Sequence, residues 1–86
     1  METRKHYKLV VKREIKDNVY GLEQVYPVGY VPEDNISLKD MHWIKRTGFY
    51  RIIHGHGVET YLYYPKDFDI VEVTEHITTT ERTITP

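Results

Sequence analysis

The sequence predicts a mainly β domain with one short helix, in the order ββ-α-βββ. Three observations carry that expectation. Residues 6–15 alternate apolar and polar side chains with the period of two that a half-buried strand requires. Residues 48–54 and 58–64 are two apolar, tyrosine-rich runs split by a glycine-flanked histidine turn. Between them and the N-terminal third lies a single stretch with helical capping and spacing. With 86 residues the chain has the size of one small domain. Such a domain hides roughly 60–65% of the surface its unfolded form exposes, so its stability is modest.

In the first strand, HYKLVVKREI, Tyr7, Leu9, Val11 and Ile15 mark one face while Lys8, Lys12 and Glu14 mark the other. Asp17-Asn18 is turn chemistry, because both side chains bond their own backbone readily. A second strand at about 19–26 would complete a hairpin. Pro27, Gly29 and Pro32 then interrupt regular pairing, so residues 27–35 read as a loop. Ser37 opens the helix: Ser37-Leu38-Lys39-Asp40 approximates a capping box, with Asp40 replacing the usual Glu or Gln. Leu38, Met41, Trp43 and Ile44 supply an apolar side as far as about Arg46, and Gly48 ends the helix. Strands at about 48–54, 58–64 and 68–75 follow, separated by His-Gly and Pro-Lys-Asp turns. Five strands of this length suit a small antiparallel sheet or a barrel of the SH3-like type, which would remove exposed edges. Residues 1–77 are expected to form the domain, and residues 78–86, rich in threonine, a flexible tail.

Composition excludes several function classes. The chain has no cysteine, which removes disulfides and thiolate metal sites. Its charged beginning, METRKHYK, reads as no signal peptide. No apolar run approaches the roughly 20 residues of a membrane span, so the expected location is cytoplasmic and no membrane partner is expected. Net charge is −1, which argues against polyanion binding driven by bulk charge. The distribution is uneven: residues 1–16 hold six Lys/Arg against two acids, residues 59–86 two against six. Side-by-side first and last strands would let these charges complement each other across a sheet.

Candidate chemistry is sparse. Ser37, the sole serine, lacks a glycine elbow and reads as a cap. Asp67, Asp69, Glu72 and Glu75 read as the wet side of an edge strand. His54 and His56 sit in a turn, and a metal would need further ligands from His76, Glu59 or Asp69. No metal, no cofactor and no catalytic residue is expected. The string Arg51-Ile52-Ile53-His54-Gly55-His56-Gly57 resembles the I-I-H-G-x-G signature of Smr-type nuclease domains. In that family a glycine-rich loop leads from a strand into a helix, and the resemblance would implicate His54 in nucleic-acid cleavage. It covers seven residues of the 86. The family's upstream L-D-L-H-G element is absent, and Val58–Tyr64 is β-prone where the family has a helix.

The apolar runs point to recognition. A three-residue loop over 55–57 would set Ile52 opposite Thr60 and Tyr50 opposite Leu62. One face then holds Phe49, Arg51, Ile53, Glu59, Tyr61 and Tyr63, with Arg51 able to stack on Tyr61. Eight of eleven aromatics are tyrosine, a residue enriched both in strands and in protein interfaces. The expected function is therefore a small non-catalytic regulatory or accessory module that binds a protein partner through Phe49, Arg51, Tyr61 and Tyr63. Self-association, through the same tyrosine face or through the charge-asymmetric ends, is a further expectation. The alternative is a single-stranded nucleic-acid binder using Lys8, Lys12, Arg13 and Lys16 as a phosphate track.

Overall fold

The computed structural model describes residues 3–84. Its elements run β1 (Arg4–Val11), β2 (Ile15–Val19), β3 (Leu22–Tyr26), α1 (Leu38–Thr47), β4 (Phe49–Gly55), β5 (Val58–Tyr63), β6 (Phe68–Glu75) and β7 (Thr79–Thr83). The fold is mainly β with one short helix, as expected. The strands form three antiparallel sheets, β1-β6-β7, β2-β3 and β4-β5. Among the described residues these do not close into a barrel. Each of the two hairpins is closed by its own tight turn, and the outer edge of β1 is occupied by a loop instead of a strand. Residues 27–36 run along that edge: Tyr7 exchanges backbone bonds with Ile36 at 2.9 and 2.7 Å, Leu9 donates to Glu33, and Val11 donates to Tyr30. The described helix is too short to cross a membrane.

The first hairpin departs from its sequence reading. The turn is Tyr20-Gly21, and Asp17-Asn18 lies inside β2. Tyr20 and Gly21 both have positive φ, 53° and 80°, the backbone of the primed turns that match strand twist. A tyrosine is an unusual occupant of that conformation. Its hydroxyl compensates by donating to the carbonyls of His54 and Gly55, 2.8 and 2.9 Å away on the neighbouring hairpin. The expected single strand over 6–15 is shorter: β1 ends at Val11, the Lys12 amide still bonds the Asp67 carbonyl at 2.9 Å in the same register, and β2 begins at Ile15. The Arg13 guanidinium then bonds the Asp67 carboxylate at 2.6 Å.

The charge complementarity is real but finer than expected. β1 pairs with β6, and Arg4–Glu75, Lys5–Glu72, Lys8–Glu81 and Lys12–Asp69 bridge the sheet at 3.0–4.0 Å. β6 is the central strand of its sheet and not a solvated edge: Phe68, Ile70, Val71 and Val73 are buried. Residues 79–83 of the segment expected as a flexible tail form β7 on β6, and Ile84 packs against the core. The last two residues of that segment lie outside the described residues.

The core gathers Tyr7, Leu9 and Val11 of β1 with Tyr26, Leu62, Phe68 and Ile70, and α1 caps it with Met41 and Ile44. Ser37 accepts the Asp40 amide at 3.1 Å, and Gly48, at φ 81°, donates its amide to Ile44. Both caps are those the sequence indicated. The two hairpins extend beyond this core. The molecule measures 49 × 24 × 22 Å with a radius of gyration of 14.1 Å, against about 12 Å for a compact domain of this length.

Asp67 is the tightest polar node. It is buried, and its second carboxylate oxygen accepts the Tyr63 amide at 2.7 Å while its own amide donates to the Tyr63 carbonyl at 2.7 Å. Replacing Asp67 with Ala strands the Tyr63 amide and removes the partner of Arg13, an expected loss of about 3 kcal/mol. Asp67→Asn retains an acceptor for Tyr63 and should lose less. Urea denaturation of both variants checks the order; equal stability of Asp67→Ala and wild type would refute it.

Candidate functional site

The β4-β5 hairpin has one face turned inward and one turned out. The register Tyr50↔Leu62, Arg51↔Tyr61, Ile52↔Thr60 and Ile53↔Glu59 is the one the sequence favoured. The turn itself is shorter than expected. His56 and Gly57, at φ 47° and 78°, make a two-residue primed turn, and a register shift between Ile53 and Gly55 absorbs His54. Only residues that tolerate positive φ fit there, which explains the glycine after His56.

The inner face meets the β2-β3 hairpin through a chain of polar contacts. Thr60 donates its hydroxyl to Asp17 at 2.6 Å, and His54 Nε2 lies 2.7 Å from the same Thr60 oxygen. Because the hydroxyl proton is committed to Asp17, His54 Nε2 carries the proton that completes the second bond. The Tyr26 hydroxyl stands 3.4 Å from that nitrogen. His54 is thus a structural bridge, and the strand-turn-strand around it differs from the strand-to-helix loop of the Smr-type signature. Among the described residues, no three His, Asp or Glu side chains are arranged to hold a metal ion.

The outer face carries all four residues singled out for binding. Phe49 and Tyr61 rings lie 5.8 Å apart at a 52° tilt, an arrangement that favours aromatic attraction. Glu59 links the polar parts of the face: it accepts the Tyr61 hydroxyl at 2.7 Å and pairs with Arg51 at 3.3 Å. The hydrogen bond to Glu59, followed by desolvation, raises the Tyr61 pKa. Arg51 therefore pairs with a carboxylate instead of stacking on Tyr61. The guanidinium that lies over a ring is Arg46, 5.0 Å from the centroid of Trp43.

This face is open to solvent. Tyr61, Tyr63 and Ile53 are 45%, 52% and 68% exposed, and α1 does not cover them. Met41 and Ile44 take the helix's buried side, leaving Trp43 57% exposed. The adjacency of Trp43 and Ile44 left open in the sequence which of them faces the core, since neighbouring helical residues point about 100° apart. Between α1 and β4 lies a cleft of about 620 Å³, lined by Asp40, Trp43, Thr47, Phe49, Arg51 and Ile53 among others. Sequence reasoning missed this cleft because it depends on how the helix is set against the strand.

The alternative site is differently placed. Lys8, Lys12 and Arg13 are paired with Glu81, Asp69 and Asp67. Lys16, on β2, has no carboxylate within ion-pair distance among the described residues. These four do not form a continuous unpaired track. The chain matches no family model, no curated protein and no solved structure.

One titration follows from the geometry at the cleft's floor. Burial, with the hydrogen bond Tyr50 donates to Glu33 at 2.9 Å, pushes the Tyr50 pKa from 10.0 up to about 12. A pKa raised on folding gives stability that is complete below the unfolded value and lost as pH rises to the folded one. The advantage of wild type over Tyr50→Phe is expected to shrink from pH 10 upward and to vanish above about 12. Chemical denaturation of both proteins across that range tests it; a difference independent of pH would contradict the assignment.

Proposed function

We propose that this chain is a small non-catalytic recognition module that binds a protein partner through the outer face of β4-β5, extended by Trp43. The observation that carries the reading is an uncovered set of rings on a paired, registered hairpin. Monomeric domains rarely leave a contiguous apolar patch in water without a use. Tyrosine, tryptophan and arginine are enriched among the residues that dominate binding energy in protein interfaces, the two aromatics because they present large area at small entropic loss. Glu59 holds Arg51 and Tyr61 in place before any partner arrives, which lowers the ordering cost of association. Nucleic acid is the weaker reading, because phosphate neutralisation needs unpaired cations and three of the four candidates already face carboxylates.

The test is affinity capture from the source cells with wild type and a Tyr61→Ala/Tyr63→Ala double variant. Both side chains are exposed, so the fold should persist by circular dichroism. A partner retained by wild type and bound at least about tenfold more weakly by the double variant is expected. Undiminished binding by the variant would overturn the reading. Micromolar binding of single-stranded DNA or RNA with a steep salt dependence would favour the strand-one alternative.

A further inference from the structure

The cleft beside β4 has a feature that the exposed rings alone do not require. Tyr64 donates its amide to the Gly48 carbonyl at 3.0 Å, making Gly48 and Tyr64 a hydrogen-bonded pair. Such pairs alternate along an antiparallel ladder. With the register continuing as Phe49↔Tyr63, Tyr50↔Leu62 and Arg51↔Tyr61, the main-chain groups of Phe49, Arg51 and Ile53 point away from β5. Tyr63, opposite Phe49, shows the same parity, since its amide and carbonyl are engaged by Asp67 outside the pair. β4 has no second strand neighbour among the described residues, and the cleft against α1 lies along its edge.

We infer that this cleft accepts an extended peptide segment of a partner protein, added as a third strand to the free edge of β4. The inference rests on the reading of the hairpin as a protein-recognition surface and names its mode. Main-chain bonds to Phe49, Arg51 and Ile53 give affinity, and alternate side chains of the peptide enter the cleft against Trp43. The dimensions agree. Phe49 to Ile53 spans about 13 Å of strand, and the ten residues of α1 span about 15 Å beside it. The volume falls within the range of about 300–1,000 Å³ usual for binding clefts.

Charge selects the peptide. Glu33 and Asp40 line the cleft, neither has an ion-pair partner among the described residues, and the charge of Arg51 is met by Glu59. The segment that fits carries a lysine or arginine among apolar residues. A second copy of this chain fits less well, because its own α1 would enter the space beside its β4.

The test pans a phage-displayed library of random heptapeptides on the purified chain, then follows the strongest synthetic heptapeptide by amide hydrogen exchange. Expected are sequences with a basic residue among apolar ones, and at least tenfold slower exchange at the Phe49, Arg51 and Ile53 amides. Arg51→Pro removes an outward amide without touching the ladder to β5 and should abolish binding. Asp40→Lys, on an exposed helix position, should weaken it at least tenfold at low salt, and tests the same claim should the proline variant lose its fold. No enriched heptapeptide, or protection elsewhere with these three amides unchanged, overturns the inference. So does light scattering that finds a dimer whose three amides are already protected. A partner lost by Tyr61→Ala/Tyr63→Ala but kept by Arg51→Pro and Asp40→Lys overturns strand addition alone and leaves the outer-face reading standing.

Discussion

The architecture turns on the carboxylate of Asp67. One oxygen meets the Arg13 guanidinium and the other the Tyr63 amide, while its backbone bonds Tyr63 and Lys12. A buried charge must be satisfied on all sides or it destabilises the fold. Here the satisfying groups come from two places: the exit of β1, far away in sequence, and the end of β5, four residues before Asp67. That single group ties the exit of β1 and the end of β5 to the start of β6.

Beyond that node, the hairpins hold each other. Thr60 sits between Asp17 and His54, and Tyr20 reaches across to two carbonyls at the far tip. A polar seam of this kind contributes directionality that apolar contact does not, because hydrogen bonds weaken steeply as their angle departs from linear. It fixes which face of β4-β5 is inside. The outward placement of Phe49, Arg51, Tyr61 and Tyr63 follows from that choice, with Phe49 half-buried and the others exposed, since a slip of one residue would exchange the faces.

The legible parts of the chain were those with local causes. The helix was readable from Ser37 and Gly48, and the last three long strands from apolar runs bounded by glycine and proline. The favoured pairing of Tyr50 with Leu62 was readable because it segregates charge to one face. What escaped depended on distant partners. Tyr20 adopts a left-handed turn because a hydroxyl finds acceptors 34 and 35 residues away. The Arg13 guanidinium finds the Asp67 carboxylate 54 residues away, and the threonine-rich segment gains strand structure by pairing with β6. The four binding candidates were found from alternation alone; the cleft beside them was not, since no local pattern encodes the gap between a helix and a strand.

The rim formed by β7 has a consequence for how copies behave when crowded. All five of its residues are exposed, and they are threonines, Glu81 and Arg82. An unpaired rim is a template for fibre growth when it is flat and greasy. This one offers hydroxyls and opposed charges, with little dry surface for stacked sheets to bury. The opposite flank of the same sheet is sealed by residues 27–36. The three-stranded layer can thus keep an open side without inviting runaway aggregation.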